Sequence, residues 1–213
     1  MTVAVVAVAI ALGCESFHTL SRNKKVSQGA PYEVLVVCNA PEWEGELGKE
    51  LRALLEAPVP MLNQTEPLFN VLRITAGDFR NILTEHRNIL KVVVSPKVAE
   101  TAIVAQYDVT ATPQIELTFQ GASQQAMVEY LRTNGESLLR VLEMAERDRT
   151  VKFAERHNVQ VLNQLVKDEF GVDMRVPKGY ELRSQSEDFL WASYEYPVAS
   201  QGFFIYTYPY AGK

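Results

Sequence analysis

Two cysteines, three histidines and a late crowd of aromatic rings are the residues of this 213-residue sequence whose types and spacing could do chemistry. Cys14 stands out among them. It ends the segment Ala11-Leu12-Gly13-Cys14, at the close of the apolar run Val3 to Leu12 and just before a polar stretch that begins Glu15-Ser16. Bacterial lipoprotein signals end in this way, on a small residue and a cysteine. The thiolate is a good nucleophile near neutral pH; it takes a diacylglyceryl group, and cleavage leaves the cysteine as the new N-terminus. An apolar run of about ten residues suits a signal-peptide core, whereas a membrane-spanning helix needs about twenty. Each methylene buried in lipid contributes roughly 0.8 kcal/mol and a single chain holds only marginally, so stable anchoring through Cys14 takes two or more chains.

The segment departs from the preferred pattern in two ways. A large aliphatic residue usually stands three before the cysteine and a small one two before, the reverse of Ala11 and Leu12. No Lys or Arg lies between Met1 and Cys14, although signal peptides begin with positive charge, so the true start is expected upstream of Met1. The competing reading is a buried strand or helix holding an ordinary core cysteine, in a soluble cytoplasmic protein.

The other reactive residues offer less. Cys38 ends the run Val34-Leu35-Val36-Val37 and reads as a buried, inert thiol. His18 falls in the polar stretch and His157 near a helix end, and His86 sits in a loop beside a strand. No two are spaced as a zinc motif, and no loop has calcium spacing. Gly45-Glu46-Leu47-Gly48-Lys49 has its glycines too close for a phosphate loop and reads as surface helix. No serine-hydrolase motif occurs. No catalytic residue, cofactor site or metal site is therefore assigned.

The aromatic crowd is the second candidate. Trp191, Tyr194, Tyr196, Phe203, Phe204, Tyr206, Tyr208 and Tyr210 fall on the last two expected strands. Alternation puts Phe204, Tyr206, Tyr208 and Tyr210 on one face and Phe203 and Ile205 on the other. Trp191, Tyr194, Tyr206 and Tyr208 form a candidate surface for a glycan or an envelope protein, because tyrosine and tryptophan join a flat apolar body to a polar tip. The plainer and favoured reading is a sheet with one buried face and cross-strand aromatic pairs.

Several elements must position these residues. Apolar content of 47% and charged content of 22% suit a soluble globular body, and a net charge of −5 argues against a nucleic-acid partner. Residues 1–14 read as the signal, 15–30 as a flexible tether and 31–213 as the globular part, with a division into subdomains near 171. Tyr32 to Cys38 reads as a buried strand. A helix beginning near Pro41 carries Leu47, Leu51, Leu54 and Leu55 on one face. Strands follow at Leu68 to Ile74, Ile89 to Val94 and Ile115 to Phe119. A short helix or turn is expected over Gly77 to His86. Ala102 to Asp108 has no clear period.

Ser123 is placed as the N-cap of a helix reaching Thr133, where Asn134-Gly135 signals a stop. A longer helix is expected from Glu136 to His157, and a third from Val159 to Phe170 with Val161, Leu162, Leu165 and Val166 inward. Strands then fall at Val172 to Val176, Tyr180 to Arg183, Phe189 to Tyr196 and Gly202 to Pro209. The fold class is α+β: mixed or antiparallel sheets with helices, a helical middle, and an antiparallel β region at the C-terminus.

Several stretches are similar to an uncharacterised lipoprotein family of Bacteroidetes, a domain of unknown function. They include Pro31-Tyr32-Glu33-Val34-Leu35-Val36-Val37, Ala57-Pro58-Val59-Pro60, Gln64-Thr65-Glu66-Pro67-Leu68-Phe69, Pro177-Lys178-Gly179-Tyr180, Asp188-Phe189-Leu190-Trp191 and Ile205-Tyr206-Thr207-Tyr208-Pro209-Tyr210. The resemblance implies a lipid anchor in a cell envelope and carries no known activity. That family continues beyond the Tyr-Pro-Tyr segment, so the C-terminal part is expected to be incomplete here. The function read from these observations is a lipid-anchored envelope protein with a binding or structural body. The alternative is an envelope hydrolase acting on glycan or peptidoglycan.

Overall fold

The computed structural model describes residues 24–197 and 200–210. The chain divides into two compact units, with the division between Glu143 and Met144. The fold is α+β, with one mixed and one antiparallel sheet and a helical middle.

The first unit is built on a five-stranded sheet. In chain order its strands are β2 (Glu33–Val37), β3 (Asn70–Ile74), β4 (Asn88–Val94), β5 (Ala102–Tyr107) and β7 (Ile115–Gly121). A two-residue pair, β1 (Lys25–Val26) with β6 (Ala111–Thr112), lies apart from it. The spatial order is β3-β2-β4-β7-β5, parallel except for β5, which is antiparallel along the edge. Strand β2, between β3 and β4, is buried from Val34 to Val37, so its four consecutive apolar residues reflect cover on both faces.

Two helices, α1 (Ala40–Glu44) and α2 (Glu46–Leu55), stand where one was expected. They break at Gly45, and Gly48 lies so close to the Trp43 carbonyl that a Cβ would come within 1.8 Å of its oxygen. Leu47, Leu51 and Leu55 are fully buried, while Leu54 is turned to the next helix.

That helix, α3 (Gln124–Arg156), runs unbroken for 33 residues. The Ser123 Oγ accepts the Ala126 N–H at 3.2 Å, the expected cap. The expected stop at Asn134-Gly135 is corrected: Asn134 bonds back to the Tyr130 carbonyl at 3.2 Å. Both Leu54 methyl groups would lie 3.2 Å from a Cβ on Gly135. The glycine serves close helix approach. Met127 against Gly121 and the Tyr130 ring 5.8 Å from Phe119 dock α3 on the side of the sheet that carries Val36, Leu90, Leu117 and Phe119. The opposite side carries the paired Lys91 and Glu116, with the Phe79 ring 4.7 Å from Lys91 Nζ, and the exposed Leu72, Val93 and Val104.

Part of the segment expected as a tether is paired. Beyond the short β1–β6 ladder, the Gln28 N–H donates to the Glu85 carbonyl and the Arg87 N–H to the Gln28 carbonyl, both at 2.8 Å. These are backbone bonds, which no apolar pattern announces.

The second unit packs α4 (Gln160–Phe170) on an antiparallel sheet of β8 (Glu181–Gln185), β9 (Phe189–Glu195) and β10 (Ser200–Tyr206) in the order β10-β9-β8. Its core is Leu162, Val166, Val176, Leu190 and Ala192, with Leu165, Tyr180, Phe203 and Ile205 packed against it. Gly171 ends α4 in the left-handed conformation, with φ of +67°, as the stop signal required. Two expectations are corrected. Val161 is 79% exposed, one position off the inward face. Residues 172–176 form no strand: the Val176 N–H is taken by the Asn163 side chain at 2.8 Å, while its side chain seals the core. Among the described residues no helix is long and apolar enough to cross a membrane.

Candidate functional site

The site is one face of the sheet in the second unit, and strand alternation makes it. On β9, Leu190 and Ala192 point into the core and are fully buried, so Phe189, Trp191 and Ser193 point the other way. The register sets Phe204 opposite Trp191 and Tyr206 opposite Phe189, and residues paired across a ladder share a face. The rings run in a row. Phe189 and Phe204 have centroids 6.4 Å apart, Phe204 and Tyr206 6.1 Å, Tyr206 and Tyr208 5.8 Å, with planes within 26° of parallel in each pair.

The row is open to solvent: Trp191 is 46% exposed, Phe204 63%, Tyr206 57% and Tyr208 67%. Gly202 lets the indole settle, because a Cβ there would lie 3.1 Å from Trp191 Nε1. A cross-strand ring laid over a strand glycine restores packing that the glycine lacks.

A hydroxyl and charge network borders the rings. Arg183 Nε donates to Ser193 Oγ at 2.9 Å, and the Ser193 hydroxyl donates to Glu195 Oε1 at 2.6 Å. Arg183 Nη1 reaches Glu181 Oε2 at 3.0 Å. Hydrogen bonds from Ser193 and then Ser200 hold the Glu195 carboxyl below its ordinary range. Arg183 takes its place through a bulge in β8 between Leu182 and Ser184.

Of the four aromatic residues expected to form a surface, three come together: Trp191, Tyr206 and Tyr208. Tyr194 lies on the opposite face, with Tyr196 at 4.1 Å and Tyr180 at 6.1 Å, and its ring abuts Gly179. Alternation along β9 separates it from Trp191 and is readable in the sequence. Phe189 and Phe204 complete the row in its stead. Nothing in the sequence shows that Trp191 lies over Gly202, which depends on register.

The remaining candidates separate clearly. Cys14 lies outside the described residues, as does His18. Cys38 is 1% exposed and pushed up to about 11, by burial first and by the Glu42 carboxylate next, against Arg73 and Arg52. Gly45 is the break between α1 and α2, and Glu46 to Lys49 open α2 with Leu47 and Gly48 buried, so only part of the stretch is surface helix. His157 is exposed against Phe153 at 4.9 Å. His86 is buried, with its Nε2 2.8 Å from Glu33 Oε1. No group of three or more His, Cys, Asp or Glu among the described residues could hold a metal ion.

Residues 27–155, more than half of the chain, match the family described as Domain of unknown function (DUF8532). The chain belongs to that family. The DUF8532 match takes in the whole five-stranded sheet, α1, α2 and nearly all of α3. Residues 159–213 match a second family, Domain of unknown function (DUF4837), and the aromatic row lies inside that match. This agrees with the expectation of an uncharacterised family. No curated protein and no solved structure matches this DUF8532 member.

Proposed function

We propose that this protein is a lipid-anchored binding module of the cell envelope, held by acylated Cys14 and contacting an uncharged glycan through the ring row of β9 and β10. The anchor is supported by the residues around Cys14 and by the resemblance to Bacteroidetes lipoproteins. The observation that carries the binding role is the row itself: Phe189, Trp191, Phe204 and Tyr206 on one sheet face, continued by Tyr208. A soluble body normally turns such rings inward, and an exposed apolar patch rimmed by polar groups marks a contact surface.

The chemistry favours sugar. Sugar rings present C–H faces that stack on aromatic rings and hydroxyls that bond at the rim. Here the rings are uncharged, and the rim supplies Ser184, Arg183 and Glu195, the last two held by the buried Ser193 hydroxyl. A row is open along its length, so it suits a chain of sugar units better than a single one.

Two measurements test the reading. Retention of the full chain on immobilised neutral envelope polysaccharide is expected to fall about fivefold for Trp191→Ala and again for Tyr206→Ala, since each stacked ring contributes about 1 kcal/mol. Tyr194→Ala, on the other face, serves as the control. Undiminished retention in both ring variants, or none in the wild type, overturns the binding role. A fatty-acid analogue fed to cells is expected to label the wild type and not Cys14→Ser. Label on both, or on neither, removes the anchor.

A further inference from the structure

The two ends of the five-stranded sheet show different chemistry to solvent. At the amino ends of β2, β3, β4 and β7, where the antiparallel β5 finishes, Val26, Tyr32, Met61, Leu62, Ile82 and Tyr107 are exposed. Met61 is 98% exposed, and Val26, Ile82 and Tyr107 are each more than half exposed. At the carboxyl ends, the turns 38–41, 75–79, 95–101 and 121–123 expose no large apolar side chain. Single apolar residues scattered over a surface need no explanation, but a gathering of them marks a contact.

The topology gathers them. Tyr32 leads into β2, and its carbonyl accepts the Asn70 N–H of β3 at 2.8 Å. Ile82 lies in the 3-10 turn Asn81–Glu85 that precedes β4. Val26 pairs with Thr112 just before β7, and Tyr107 stands opposite Ile115, the first residue of β7. Met61 and Leu62 tip the loop that returns from α2 to β3. Bonds from the Val59 N–H to the Glu66 carbonyl and from the Leu68 N–H to the Ala57 carbonyl, both at 2.9 Å, close its base. Neighbouring strands stand about 4.8 Å apart, so five of them spread these side chains over roughly 20 Å. Met61 has a φ of +69°, which glycine or asparagine adopts with less strain, so the turn itself does not call for a methionine. Charge at this end is mixed: Lys25 pairs with Glu85, and Glu56 and Glu66 lie exposed on the loop. What sets the end apart is its apolar surface.

We propose that the amino end of this sheet rests on the bilayer, with Met61, Leu62 and Ile82 entering the boundary between headgroups and acyl chains. The chain that leaves this end says what covers it. Lys24, the first described residue, donates through Nζ to the Asp108 carbonyl there. Ten steps along the sequence lead back from Lys24 to Cys14, a span of at most about 36 Å. On the lipid-anchor reading, on which this proposal rests, the anchor therefore holds this end of the unit within that distance of the lipid. Apolar side chains that enter the interface add buried area to the hold of the acyl chains. They also fix which way the unit faces, with the turns at the carboxyl ends of the strands directed away from the membrane.

Contact quenching tests the proposal. The full chain is coupled through Cys14 to a maleimide lipid in vesicles of zwitterionic phospholipid; Cys38, 1% exposed, does not compete. In a Trp43→Phe, Trp191→Phe background, one tryptophan is placed by Leu62→Trp, Ile82→Trp or Lys97→Trp, all at exposed positions of the first unit. With brominated acyl chains, emission from Leu62→Trp and from Ile82→Trp is expected to fall at least about twofold and to shift to the blue, as for side chains set into the interface. Lys97→Trp, in a turn at the carboxyl end, should be unaffected. Added salt should leave the result unchanged, because the contact is apolar. Full emission at position 62 or at position 82 overturns the proposal and leaves that end to a protein partner. An equal loss at position 97 overturns it too. Coupling imposes the anchor, so this result stands apart from the fatty-acid labelling that tests the anchor in cells.

Discussion

Cys38 is a nucleophile by type and is silenced by its surroundings. With its thiol at about 11 and 1% of its surface exposed, little thiolate forms at neutral pH and little reagent reaches it. A disulfide reagent at pH 8 is expected to modify the native protein at least about a hundredfold more slowly than the unfolded chain, as absorbance of the released thiolate would record. His86 and Trp191 differ from it in how far the sequence reveals them. Trp191 could be assigned to an outward face by counting alternate residues from Leu190. His86 could not be understood at all, because its partner Glu33 stands 53 positions away. Tyr194 fell into the expected surface because composition counts rings and ignores which way they point.

At the scale of elements, α3 is the clearest case of a local signal overridden. Asn-Gly favours a helix end, but glycine inside a helix costs only about 1 kcal/mol relative to alanine, and the buried Leu131, Leu138 and Leu142 on either side of it outweigh that. Gly135→Ala alone is expected to leave stability within about 0.5 kcal/mol, its helix gain offset by the push on Leu54. In a Leu54→Ala background the same change should recover about 1 kcal/mol, a coupling that a double-mutant cycle in urea would measure. Strand β2 was readable because a strand covered on both faces is a continuous apolar run, and β7 because Ile115, Leu117 and Phe119 alternate with Glu116 and Thr118. The pairing at residues 24–30 was not, since hydrogen bonds between backbones leave no trace in side-chain order. Val161 missed the inward face of α4 by one step of about 100°, the tolerance of a short helical pattern.

For the whole molecule, the two units each close a core of their own. Leu190 is fully buried in the second core, and Leu190→Ala is expected to cost about 2–5 kcal/mol. Exchange should quicken across β8, β9 and β10 before it does in β2, β4 and β7; an equal rise in both sets would mean that the units unfold as one. The sequence holds only two tryptophans, and they fall one to a unit. Trp43 lies 4.5 Å beneath the Arg52 guanidinium in the first, and Trp191 lies half-open on the ring row of the second. The protein therefore carries two native optical probes that need no label. With Trp43→Phe the emission reports the ring row alone, and with Trp191→Phe it reports the five-stranded sheet and its helices, so each half can be watched while the other is perturbed.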